Sequence, residues 1–350
     1  MSLLISVILV TIIQYVFSLM EELKDDNQKE DQPVELLTIA KESDPDYDLD
    51  NDLEFQISPV AAAFIGLAGG FFLYQIFGAL LTVLIFGINL ESVPVNSLRL
   101  MTMAGQILFI LLPALLFAKW IYSDVGKIIR IRKPDFKELG LFTLGIIILT
   151  PLLQSFLYIQ NHFLEILAKN SSAISSVKSF FDSLNEMVEK TYGNLLSASN
   201  IFEFVLVVIV IAVVPAISEE TMFRGFIQRS FELKYKKYLA VIITALFFSL
   251  YHFNPYGFIP LFILGAFFGF AAYKSKTLLV PMFLHFLNNF SAVSLYHIIG
   301  DDELIKSDVS INPNELSSYV MMFFGLAVLF TALVLVINKY YSSKILAKED

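Results

Sequence analysis

Residues 213–226 read VVPAISEETMFRGF, setting Glu219, Glu220 and Arg224 within six residues at the end of the apolar run FVLVVIVIAVVPAI. An ionisable group in hydrocarbon costs a few kcal/mol or more, so such residues are candidates for function by default. Glu220 and Arg224 stand four residues apart with the acid first, the favourable order for a helical ion pair. That pair can serve simply to pin helices together. Glu219 lies about 100° further round the helix, where Arg224 cannot neutralise both acids equally. Two histidines on later apolar segments complete the set: His252 in FFSLYHF and His285 in HFLNN. Phe248 precedes His252 by one turn. Asn289 follows His285 by one turn, where its amide can reach either a ligand or the imidazole. A carboxylate with two histidines suits two chemistries. The acid can take a proton from water while histidines and an amide stabilise an oxyanion. Alternatively, Glu219, His252 and His285 can ligate a catalytic zinc ion with water in the open position. HExxH is absent. His162 and His297 fall near segment ends and receive no role.

The elements that must carry these groups are helices in a membrane. The chain has 350 residues, 56% of them hydrophobic, with a mean hydropathy of +0.69. Several runs reach the roughly 20 residues needed to cross about 30 Å of hydrocarbon. Segments at 3–20, 58–90, 103–122, 138–160, 201–228, 239–253, 257–273, 278–298 and 317–338 imply an all-α polytopic bundle of eight or nine transmembrane helices around a central cavity. The first reads as an anchor rather than a cleaved signal peptide, since it lacks a basic leader. The GLAGG within 58–90 suggests a tilted helix or an interfacial extension. Pro113, Pro151, Pro215, Pro260 and Pro281 suggest kinks.

Depth along these helices is consistent with convergence. Measured from flanking basic residues at about 1.5 Å per residue, Glu219 and His285 lie roughly 15 Å deep and His252 roughly 22 Å. Lysines and arginines cluster at 119–137, 229–237, 274–276 and 339–348, and nine spans place all four groups on one side. That side is expected to be cytoplasmic. Residues 161–200 would then be external, with Ile174, Val177, Phe180, Phe181, Leu184 and Val188 forming an amphipathic interfacial helix.

The net charge of −9 is concentrated rather than spread: residues 21–57 hold 14 Asp and Glu against three Lys. This stretch reads as a solvated linker. Its DPDYDLDND lacks the central Gly and position-twelve Glu of an EF-hand. Cysteine is absent, which excludes disulfides, thiolate catalysis and cysteine-bound zinc. Four regions follow: an anchor and acidic linker at 1–57, N-terminal helices and a basic loop at 58–137, a core at 138–298, and a last helix with tail at 299–350.

EETMFR, FSLYH and HFLNN, in this order on successive apolar segments, resemble the EExxxR, FxxxH and HxxxN motifs of the CPBP family of intramembrane proteases. That family includes type II CAAX prenyl endopeptidases and bacterial Abi or bacteriocin self-immunity-like proteins. The resemblance is close over residues 219–289 and looser over 138–298. It implies a helical bundle with a conical cavity open to the cytoplasm, in the cytoplasmic membrane of a bacterium. Glu219 would activate the water together with His252, while His285 and Asn289 would form the oxyanion site. Glu220 would complete the catalytic group, with Arg224 and Phe248 supporting it. The family's metalloprotease class implies a divalent metal, zinc, with Glu219, His252 and His285 as candidate ligands; no organic cofactor is implied. The expected partners are a membrane-associated peptide or protein substrate and the lipid bilayer, not nucleic acid. Two other readings stand beside this one: a proton-coupled transporter, and a non-catalytic membrane scaffold or immunity factor.

Overall fold

The computed structural model describes residues 53–122, 124–299 and 313–349. The segment expected at 3–20 and nearly all of the acidic stretch lie outside the described residues. Ten helices follow in order: α1 Pro59–Phe86, α2 Val95–Ile121, α3 Val125–Ile129, α4 Phe136–Asn170, α5 Ser172–Leu196, α6 Ile201–Glu232, α7 Lys237–Tyr251, α8 Phe258–Ser275, α9 Leu279–Ile299 and α10 Leu316–Glu349. Among the described residues there is no strand, and Phe55 and Tyr122 form an isolated bridge. A bundle of helices satisfies every backbone group within its own segment, as hydrocarbon demands.

Each apolar segment expected after residue 57 is a helix, but six rather than eight are long and apolar enough to cross a membrane: α1, α2, α4, α6, α8 and the Leu316–Lys344 part of α10. The helix α7 is apolar but has 15 residues, a length of roughly 22 Å. The helix α9 carries His285, Asn288, Asn289 and His297, which lower its hydropathy.

Local sequence explains several details. GLAGG does not break α1. Gly66 faces Phe226 and Ile227 of α6, and Gly70 faces Met222, so the small residues let two backbones approach. Pro113 and Pro215 each follow a wide π-helical stretch, Ile107–Leu111 and Ile209–Val213. A proline cannot donate to the carbonyl one turn back, and the wider turn accommodates that missing bond. Pro260 and Pro281 produce no kink, because they fall in the first turns of α8 and α9, where an N–H would be unpaired anyway. Residues 161–170 continue α4, and the amphipathic helix is α5.

The core that seats the later helices is built from α4, α8, α9 and α10, with Phe142, Leu149, Phe267, Phe268, Leu284 and Ile337 buried together. One end of the bundle is closed by polar contacts between distant loops. Arg130 pairs with Glu232 at 3.1 Å, and its carbonyl accepts from the Leu278 amide at 2.9 Å. Arg132 pairs with the buried Glu138 at 3.0 Å. The Tyr341 hydroxyl donates to Glu138 at 2.6 Å, and Lys344 lies 3.7 Å from Asp135. The four basic groups therefore share this end, as the loop charges suggested.

Candidate active site

Three helices meet at Glu220. Arg224 Nη1 donates to Glu220 Oε1 at 2.8 Å within α6, and both side chains have 0% exposure. His285 of α9 donates from Nδ1 to the same oxygen, also at 2.8 Å. Arg224 Nη2 donates to the Gly265 carbonyl of α8 at 3.0 Å. One carboxylate thus joins the middle of α6 to α9, and its arginine joins α6 to α8. The guanidinium carbon stands 4.3 Å from the Phe248 ring centre and 5.6 Å from that of Phe268, so the charge rests on aromatic faces. His285 itself is stacked on Phe268 at 5.4 Å.

His252 closes α7 at its C-terminal end. Its Nδ1 lies 2.7 Å from the Phe248 carbonyl, which can only accept, so Nδ1 carries the proton. The same logic applies to His285, whose Nδ1 faces a carboxylate. Both imidazoles are consequently held through Nδ1, leaving Nε2 as the atom available for chemistry. Phe248 lies between them, with its ring 4.6 Å from His252 and 6.2 Å from His285. The residue one turn before Arg224, Glu220, therefore acts as an anchor, and the one before His252, Phe248, as a spacer.

Glu219 differs from its neighbour. It is half-buried and accepts no hydrogen bond from another side chain among the described residues; its Oε2 is buried without a partner, as is Oε2 of Glu220. A buried carboxylate oxygen without a partner is costly unless water or a ligand meets it. Asn289 does not bond His285. Its Nδ2 donates to the Ile211 carbonyl at 2.9 Å, inside the π-helical stretch of α6, and its Oδ1 accepts from Asn288 at 3.1 Å. The wide turn presents a carbonyl that a regular helix would have used internally. One amide hydrogen of Asn289 remains for another acceptor.

Among the described residues, no three His, Asp or Glu side chains gather closely enough to hold a metal ion. Glu219, His252 and His285 do not form such a group as they stand. Glu220, the carboxylate that does reach His285, is already committed to Arg224.

Sequence reasoning missed Gly265 and Phe268. A signal existed for the first: Gly265 and Gly269 stand four apart in LGAFFGF, as Arg224 and Gln228 do in α6. Gln228 Nε2 donates to the Gly269 carbonyl at 3.0 Å, repeating the Arg224–Gly265 contact one turn on. Two bare backbone patches on α8 thus accept two long polar side chains from α6.

The helical bundle and its embedded polar centre define a polytopic integral membrane protein. Residues 201–291 match the family model described as Type II CAAX prenyl endopeptidase Rce1-like, which supports the CPBP family of CAAX-type proteases. The matched segment contains all of Glu219, Glu220, Arg224, Phe248, His252, His285 and Asn289. No curated protein and no solved structure matches the chain.

Proposed function

We propose that the protein is an intramembrane endopeptidase that hydrolyses a peptide bond in a membrane-associated substrate, with Glu219 as general base. The observation that carries this reading is the contrast between two adjacent glutamates. Glu220 holds two charged or polar donors, Arg224 and His285, on Oε1, whereas Glu219 accepts no hydrogen bond from another side chain among the described residues; each acid keeps a buried Oε2 without a partner. A structural pair needs one acid; the second is left for a water.

In this reading Glu219 takes a proton from water, and the resulting hydroxide attacks the substrate carbonyl carbon. His252, with its proton fixed on Nδ1, offers the Nε2 lone pair to the same water. Negative charge then develops on the carbonyl oxygen. His285, when it carries a proton on both nitrogens, donates from Nε2 to that oxygen while Nδ1 stays on Glu220. The spare amide hydrogen of Asn289 supplies a second donor. Collapse of the tetrahedral intermediate breaks the C–N bond, and the proton held by Glu219 passes to the leaving amine. No step requires a metal.

The polar end of the bundle, rich in lysine and arginine, is assigned to the cytoplasm. The test is cleavage of a co-expressed membrane protein by the wild type and by Glu219→Gln. Fragments present with the wild type and missing with the variant support the reading, and identical fragment patterns overturn it.

A further inference from the structure

We propose that Asp182 and Tyr256 are positioning residues for His252, so that α5, outside the motif-bearing helices, sets the geometry of the site. The proposal rests on the reading of His252 as part of the catalytic group.

His252 is the last residue before a sharp loop, 253–257, that leads into α8. Phe253 has φ of 49°, a left-handed conformation in a residue with a bulky side chain. Such a backbone persists where its surroundings over-determine it. Phe253 contacts Phe71 of α1 at 6.0 Å, but the strongest constraints fall on Tyr256. That residue is 2% exposed, although it belongs to a loop. Its hydroxyl donates to Asp182 Oδ1 of α5, and its carbonyl accepts from Gln160 Nε2 of α4 at 2.9 Å. Its ring meets Phe181 edge-on at 6.1 Å. Lys178 then donates to both oxygens of Asp182, at 2.9 and 3.0 Å.

Loops normally run over the surface with their backbone in water. This one is held at backbone, hydroxyl and ring by two helices, neither of which carries a motif residue. Burial works to raise the Asp182 carboxyl, but the bonds from Tyr256 and Lys178 outweigh it and hold the group below the usual range. Asp182 therefore remains an ionised acceptor. By contrast, His285 is fixed by its own contact with Glu220 and has no link to this loop among the bonds described above. Loosening Tyr256 should move one catalytic imidazole and leave the other.

The experiment uses full-length protein in lipid nanodiscs with labelled histidine rings, its four resonances assigned by His→Gln variants. Tyr256→Phe keeps the ring on Phe181 and removes the hydroxyl; Asp182→Asn removes the charge. Both should shift or split the His252 resonance and leave that of His285 in place. Cleavage should fall about 10–100-fold in kcat with KM little changed, as expected when a catalytic group is displaced. Glu165→Gln, which breaks an exposed pair with Lys169 on α4, should alter neither signal. An unmoved His252 resonance in a folded Tyr256→Phe protein overturns the proposal. So does a Tyr256→Phe protein that fails to fold, since that would make the hydroxyl structural. A shifted His252 in a protein that cleaves no membrane peptide removes the protease reading and leaves the clamp standing. Cleavage with an unmoved resonance does the reverse.

Discussion

Glu220 accepts a hydrogen bond from His285 Nδ1 at 2.8 Å across 65 residues of sequence, using the oxygen that also binds Arg224. The shared oxygen makes the ion pair part of the site rather than a separate brace. A change to either member of the pair must therefore reach the imidazole.

Glu220→Gln and Arg224→Ala should each lower folded yield and thermal stability as well as activity. Breaking a buried pair by removing one partner costs about 3–5 kcal/mol, because the remaining charge is left uncompensated. Purified yield and unfolding temperature in detergent provide the check. Variants that accumulate and melt like the wild type would remove the structural role of the pair.

Glu219→Gln should give a folded protein whose cleavage is lower by about 10²–10⁴-fold, the typical loss for a general base. His252→Ala should match it, and the double variant should be little worse than either single one if both act on one water. Asn289→Ala should cost about 10²–10³-fold as a lost oxyanion donor. It should also reduce stability by up to about 1–3 kcal/mol, because the part-buried Ile211 carbonyl loses its partner. Turnover measured on purified variants decides these points, and near wild-type cleavage by Glu219→Gln would refute the mechanism.

Gly265→Ala should damage both stability and turnover. A Cβ there would meet Phe248 Cδ1 at 2.9 Å and Arg224 Nη2 at 3.4 Å, pressing on the ring that separates the two histidines. Overpacking of this kind costs about 1–3 kcal/mol. Gly269→Ala should destabilise similarly through Gln228 at 2.6 Å, yet preserve turnover per folded molecule. Equal loss of turnover in the two variants would contradict the placement of Phe248 as the spacer.

Reporter fusions after residues 132 and 236 should report the same compartment, and a fusion at 185 the opposite one. The first two positions lie at the end of the bundle where Arg130 meets Glu232. Residue 185 lies on α5, beside the loop that follows α7 at the other end. Opposite signals from 132 and 236 would reject the assignment of sides.

Much of the site was legible along single helices. The spacing of Glu220 and Arg224, of Phe248 and His252, and of His285 and Asn289 places each pair on one helical face whatever surrounds it. The first pair bonds as that spacing implies, and Phe248 supplies the carbonyl for His252. Of the two partners the spacing left open to Asn289, a ligand or His285, the imidazole is not taken, because a π-helical turn on α6 offers the amide the Ile211 carbonyl. Spacing within α9 carries no information about a widened turn in α6.

By itself the sequence determined that these segments are helices in a membrane, since apolar runs in hydrocarbon must satisfy their backbones internally. It also determined which ionisable residues are embedded. Tertiary structure decided which carboxylate His285 meets, and that this same carboxylate oxygen also takes Arg224. Those outcomes depend on how α6, α7, α8 and α9 are rotated and set against one another. That rotation is governed by close approaches at Gly66, Gly265 and Gly269 and by the loop clamp at Tyr256. Such contacts join residues on different elements, from 17 positions apart for Phe248 and Gly265 to 161 for Gly66 and Ile227, beyond the reach of any periodicity within one helix.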